Sequence, residues 1–249
     1  MEGFRGKVLF AAMTACCALE ARSGKPEPIA VILDPGHTPE KGGAMSTRGI
    51  KEVVYNDGLA SILADTLSAR GMRVLLTRRP QDEVSLEDRV AVSRNNQARC
   101  FIALHHDSAQ PKYLERADTG NAEVFSTVKP IQGYSVFVSA KNGQYRQSLT
   151  LAQGVGRSLL ELGRKPTLHH AEPIQGENRP LLDSALGIYR YDDLIVLAKN
   201  PLPAVLIEYG VLVDKADEAY VSDPANQARF AHAVGGALEA YFRDASTPK

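Results

Sequence analysis

Residues 29–33, Ile-Ala-Val-Ile-Leu, form an unbroken apolar run stopped by Asp34-Pro35-Gly36. A run this short, β-branched and closed by Pro-Gly reads as a buried strand. The period then changes. Over residues 53–70, Val54, Leu59, Ile62, Leu63 and Leu67 recur at spacings of three to five, and Gly71 follows as a helix stop. Residues 73–77 are again strand-like. Strand, helix and strand in that order make a βαβ unit, whose two strands lie parallel. The alternation continues. Ser85, with Asp88 three residues on, opens a helix to about residue 97. Residues 100–104 are an apolar strand, and 134–139 alternate as a strand expected nearer the sheet edge. Residues 147–162 are helical, and 204–207 form a short apolar strand. Residues 226–242 close the chain as a helix with Phe230, Val234, Leu238 and Tyr241 on one face. The pattern predicts an α/β domain, a three-layer α/β/α sandwich with a mostly parallel central sheet. Residues 108–133 and 164–193 are long and polar for loops, a length usually tied to function or mobility.

The chain has 249 residues, and 44% are hydrophobic, enough for one sizeable core spanning residues 29–245. Lys plus Arg and Asp plus Glu number 29 each, so the formal charge is zero and no basic surplus marks a nucleic-acid partner. A monomer is expected. Residues 1–21 read as an export signal: Arg5 and Lys7 precede a short apolar run, residues 8–19, too short to span a bilayer. Met13-Thr14-Ala15-Cys16 loosely resembles a lipoprotein box, so both ordinary cleavage and a lipid on Cys16 fit. Residues 22–28 are a polar, Pro-containing linker. The expected location is the periplasm or cell envelope. Cys100 alone is sure to remain in the mature domain and reads as a small buried hydrophobe.

Three of the apolar runs lead into a residue that can bind a metal or carry a proton: His37 after Asp-Pro-Gly, His105 after Phe-Ile-Ala-Leu, and Glu208 after Val-Leu-Ile. In a parallel sheet those ends share one edge, where ligand sites of open α/β sheets lie. Glu52 precedes the first helix and so starts at the same edge. Two histidines and a carboxylate, with a fourth position open to water, are the usual protein complement of a catalytic zinc. Glu208 is then a spare carboxylate that can act as a base. Spacing alone leaves other readings open. A strand-end histidine is often a capped or surface residue, and a first-turn glutamate is favoured by the helix dipole without any metal.

Seven short, separated stretches carry a resemblance. Asp34-Pro35-Gly36-His37, Gly42-Gly43-Ala44 and Gly49-Ile50-Lys51-Glu52 lead into Leu76-Thr77-Arg78 and Leu86-Glu87-Asp88-Arg89-Val90. Phe101-Ile102-Ala103-Leu104-His105 and Pro203-Ala204-Val205-Leu206-Ile207-Glu208-Tyr209-Gly210 follow. In this wording and order the chain resembles the zinc-dependent N-acetylmuramoyl-L-alanine amidases of the type 3 family over residues 29–242. The resemblance implies one Zn2+ held by His37, Glu52 and His105, with Glu208 as catalytic base. It also implies peptidoglycan as substrate, cut between the lactyl group of N-acetylmuramic acid and the L-Ala of the stem peptide. Some relatives carry an inserted segment that blocks the zinc until an activator protein removes it. Residues 108–133 could be such a lid, though a longer substrate-binding loop is the plainer reading. The chain departs from the pattern at Thr38-Pro39, His106-Asp107, Gly210-Val211 and Val213-Asp214, which leaves the ligand set intact and bears on the groove. Rival functions are another zinc peptidase of carboxypeptidase type and a non-catalytic peptidoglycan-binding homologue.

Other residues have bland readings beside sharp ones. His106 alternates away from His105 and reads as structural. Asp34 and Asp107 fit either a turn or a hydrogen bond to a ligand histidine. His169 and His170 read as part of a solvated loop rather than a second metal site, and Glu87-Asp88-Arg89 as a solvated helix face.

Overall fold

The structure, a computed structural model, describes residues 29–117 and 124–245. The expected signal and linker lie outside the described residues. Strand β1 (Ile29–Pro35) leads to helix α1 (Glu52–Ala69) and strand β2 (Val74–Leu76). Helix α2 (Leu86–Asn95) and strand β3 (Ala98–Asp107) follow, then a small hairpin of β4 (Leu114–Arg116) and β5 (Phe125–Thr127). Strand β6 (Ser135–Val138), helix α3 (Tyr145–Glu161), and strands β7 (Leu181–Asp183) and β8 (Ile188–Arg190) come next. The chain ends with α4 (Ile195–Ala198), β9 (Ala204–Val211), α5 (Lys215–Ser222) and α6 (Pro224–Ala245).

The main sheet runs β2-β1-β3-β9-β6-β8-β7. Strands β2, β1, β3 and β9 are mutually parallel; β6 is antiparallel to β9 and parallel to β8, and β7 closes the edge antiparallel to β8. Side chains alternate across the strands, and both faces are covered. Val31, Leu33, Ile102, Leu104 and Ile207 pack with α1, α3 and α6 through Leu59, Leu63, Val155, Phe230 and Val234. Ile32, Phe101, Ala103 and Leu206 face the other way and pack on Val196 and Leu197 of α4. Burial on two faces is why the strands read as unbroken apolar runs, and the expected three layers with a mostly parallel sheet are present. No described helix is long and apolar enough to cross a membrane.

Three expectations are corrected. Strand β6 lies inside the sheet, between β9 and β8, rather than near its edge. Its polar Ser135 is fully buried and satisfied by the Thr167 hydroxyl at 2.7 Å. The two long polar stretches carry structure: residues 108–133 hold the hairpin, and 164–193 supply β7 and β8. Arg89 is not on a solvated face. It is 2% exposed and pairs with buried Asp34 at 2.6 Å.

That pair grips the end of β1. Arg89 also donates to the carbonyls of Pro35 and His37, and Arg78 donates to those of Pro35 and Gly36. Asp34 further accepts from the Thr77 hydroxyl. Breaking a buried ion pair from one side leaves the other charge uncompensated, at a cost of about 3–5 kcal/mol. Arg89→Met is therefore expected to lower stability by about that amount, read from urea unfolding at neutral pH. A loss within experimental error would mean that Asp34 is solvated.

Candidate active site

The β1–α1 loop is built to press Glu52 against His37. The first free N–H groups of α1 have no side-chain cap. The loop satisfies them instead, through Ala44 O to Glu52 N at 2.8 Å and Gly42 O to Val53 N at 3.0 Å. Gly43 turns at φ +76, and a Cβ there would run into the Glu52 carboxylate and the His37 ring. A Cβ at Gly36 would occupy the His105 ring. His37 itself sits at φ +65, a left-handed conformation that costs about 1–3 kcal/mol and persists only where the surroundings impose it. The two buried arginines beneath the loop provide that constraint.

Glu52 lies between the two imidazoles. Its Oε2 is 2.9 Å from His37 Nε2 and its Oε1 3.0 Å from His105 Nδ1. Fixed donors hold the carboxylate: the N–H of Ala44 at 3.1 Å, that of His106 at 3.1 Å, and the Asn56 amide at 3.0 Å. Burial alone would raise the Glu52 pKa, but His105 and His37 outweigh it and hold the carboxyl well below its usual range. Donor atoms of the three side chains lie within 4.8 Å of one another. The His37 side chain is 30% exposed, which leaves one approach to the cluster open.

Glu208 stands beside this cluster. Parallel pairing of β3 and β9 sets His105 opposite Glu208, and both point to the α2/α4 side of the sheet. Glu208 Oε2 is inaccessible and makes no hydrogen bond among the described residues. Burial lifts its pKa well above the usual carboxyl range, and the charges of Asp107 and Glu52 add to the lift. A cavity of about 510 Å³, lined by His37, His105, Leu194, Val196 and Leu206, opens over the cluster. One of about 210 Å³ adjoins it at His105 and is lined by Glu208, His170, Phe137 and Arg179. All four residues singled out in the sequence, His37, Glu52, His105 and Glu208, thus meet at one rim.

The neighbours differ from expectation. Asp34 bonds Thr77 and Arg89, not a histidine of the cluster. Asp107 bonds His170 at 2.8 Å rather than His105. His169 and His170 are buried, 7% and 9% exposed, instead of solvated. Burial would lower the His170 pKa, but Asp107 and Glu177 outweigh it and raise it to about 10. Asn56 was missed. It sits one helical turn after Glu52 on the same face, the spacing that could have revealed it. Nothing local in the sequence pairs residue 107 with residue 170.

His106 does face away, toward α1. It is 2% exposed, and its Nδ1–H donates to Asn56 Oδ1, 2.8 Å away. Burial holds its pKa down to about 4. The unfolded chain, with a histidine pKa of about 6.5, takes up this proton first. The stability that the neutral ring contributes is therefore complete above about pH 6.5 and is lost as pH falls toward 4, an effect of about 3 kcal/mol. In chelator-treated protein, His106→Gln is expected to flatten the decline of urea midpoints across that window. An unchanged slope would contradict a neutral buried ring.

The family model described as N-acetylmuramoyl-L-alanine amidase matches residues 31–240. The amidase AmiC of Escherichia coli O6:H1 is 24% identical, over 91% of this chain and 56% of its own length. The chain spans about half the length of the first curated relatives it matches. In fold it is similar to an N-acetylmuramoyl-L-alanine amidase from Clostridium difficile 630, with TM-score 0.67 and 22% identity, over 88% of this chain and 99% of that one. It is also similar to the CwlD amidase of Clostridioides difficile, solved with the GerS lipoprotein, with TM-score 0.64 and 20% identity, over 87% and 99%. With the model match covering most of its length, the chain belongs to the N-acetylmuramoyl-L-alanine amidase family.

Proposed function

We propose that this chain is a zinc-dependent hydrolase of bacterial peptidoglycan that cleaves the amide between N-acetylmuramic acid and the L-Ala of the stem peptide. His37, Glu52 and His105 are the proposed ligands of one ion. Two imidazoles and one carboxylate suit zinc, and the glycines at 36 and 43 leave the space that the rings and carboxylate fill. When bound, zinc polarises a carbonyl and lowers the pKa of a coordinated water to about 7.

The observation that carries the reading is the contrast between two neighbouring carboxylates. Glu52 is fully engaged and held ionised. Glu208 has an oxygen with no partner and an elevated pKa. An amide nitrogen leaves as an amine only if it is protonated. The Glu208 carboxylate takes a proton from the attacking water and returns it to the departing L-Ala nitrogen. Leu194, Val196 and Leu206 give the groove over the cluster one apolar wall.

Family membership supports an envelope location. Residues 1–21 as an export signal, residues 22–28 as a linker, and a lipid on Cys16 as one route of anchoring are parts of the same proposal. The lipoprotein bound to CwlD supports a regulatory partner here too. Purified sacculi digested with and without chelator test the function, with fragments identified by mass spectrometry. Intact stem peptides with free L-Ala amino ends, lost with chelator, are expected. Shortened stems would indicate a carboxypeptidase, and absence of any product a binding protein.

A further inference from the structure

A second set of ligand-capable side chains lies beyond Glu208. Asp107 ends β3, and His169 and His170 come from the turn between residues 164 and 181. Both imidazoles address one carboxylate oxygen: Asp107 Oδ2 is 2.8 Å from His170 Nε2 and 3.2 Å from His169 Nε2. The rings lie side by side with centroids 4.0 Å apart. We propose that Asp107, His169 and His170 form a second divalent-metal site, suited to zinc, beside the first.

Four observations carry this. The first is spacing. Donor atoms about 2.0–2.1 Å from a tetrahedral ion stand about 3.3–3.4 Å apart, and these contacts approach that edge length. The contacts around Glu52, at 2.9 and 3.0 Å, do the same. The second is alignment. His169 is 7% exposed, yet neither of its ring nitrogens makes a hydrogen bond among the described residues. Its Nε2 is close to Asp107 but off-line for donation, as two ligands of a common ion are.

The third is the outer shell. His170 Nδ1 lies 2.9 Å from Glu177 Oε2, and Glu177 Oε1 accepts from the Gln110 amide at 2.8 Å. A metal-bound histidine almost always gives its other N–H to a carboxylate, which fixes the tautomer and ring orientation. Asp107 is steadied likewise, its Oδ1 accepting from Ser108 N at 2.7 Å. The fourth is position. His170 and Glu177 line the same small cavity as Glu208 and His105, so one proposed ligand and its outer partner border the groove. Two imidazoles and one carboxylate with an open position suit zinc among first-row ions in a hydrolase. An ion there would place positive charge near Glu208, which shares a cavity lining with His170.

The metal-free alternative is that His170 is an imidazolium clamped between Asp107 and Glu177, with His169 packed beside it. Zinc alone decides between them. Chelator-stripped full-length protein is dialysed against zinc and its metal content measured, with isothermal titration for affinity. Wild type is expected to hold about two equivalents of zinc, one for each ligand set. Glu52→Gln should keep the equivalent that His169→Gln loses, and the reverse. About one equivalent in wild type, lost in Glu52→Gln and unchanged in His169→Gln, would overturn the proposal. One equivalent kept in Glu52→Gln and lost in His169→Gln would support this site while sinking the first ligand set. The wild-type stoichiometry does not depend on any variant folding, and near-UV circular dichroism checks each variant.

Discussion

Glu208→Gln is expected to lower turnover on purified sacculi by about 10²–10⁴-fold while zinc content stays at the wild-type level. Glutamine keeps the shape of the side chain but cannot accept a proton from water. The backbone there should not move, because β9 is paired with β3 on one side and β6 on the other, with Glu208 opposite His105 and Ser135. The same variant has a stability signature. A carboxyl whose folded pKa is raised binds its proton more tightly folded than unfolded. Its ionisation therefore costs stability as pH rises above about 4.3, the unfolded value. Chelator-treated Glu208→Gln should accordingly unfold at a higher temperature than wild type at pH 7–8, with the gap closing near pH 4. A variant that kept most of its activity would remove Glu208 as the base. A variant less stable than wild type at pH 8 would mean that the ionised carboxylate has a partner.

Replacing Glu52 should have the other large effect, on the metal rather than on the proton. Glu52→Ala is expected to weaken zinc binding by well over the roughly 10–100-fold that loss of an outer-shell partner causes, because it removes a proposed ligand outright. It also removes the carboxylate that accepts from Ala44 N, His106 N and the Asn56 amide. Buried donors left without acceptors cost about 1–3 kcal/mol each, so stability should fall as well. Glu52→Gln separates the two effects: it keeps much of the shape, loses the charge, and should unfold nearer the wild-type midpoint while still binding zinc poorly at the His37, Glu52 and His105 set. Competition with a chromogenic chelator gives the affinities. Wild-type stoichiometry and affinity in both variants would mean that His37, Glu52 and His105 do not hold an ion.

The chain announces its sheet and the first rim of the site because both rest on local patterns. Buried strands are unbroken apolar runs, parallel order follows from strand-helix-strand succession, and His37, His105 and Glu208 stand where those runs end. Glu52 is legible from its place at the start of α1. What stayed hidden depends on contacts between distant segments. Arg89 lies in a helix whose sequence looks like a charged surface, yet it turns inward to Asp34, 55 residues away. Ser135 gave β6 the alternation of an edge strand, because nothing local shows that the Thr167 hydroxyl satisfies it. His169 and His170 look solvated until β8 pairs with β6 and draws the preceding turn over Asp107. In each case a polar residue that reads as exposed is buried by a partner far along the chain.

The central claim is that His37, Glu52 and His105 grip one ion while Glu208 remains free beside it. Crystals of zinc-loaded protein measured at the zinc absorption edge test it most directly. The account predicts an anomalous peak about 2.0–2.2 Å from His37 Nε2, His105 Nδ1 and a Glu52 oxygen, with Glu208 outside bonding distance. No peak among those three side chains, or a peak bonded to Glu208, would contradict it.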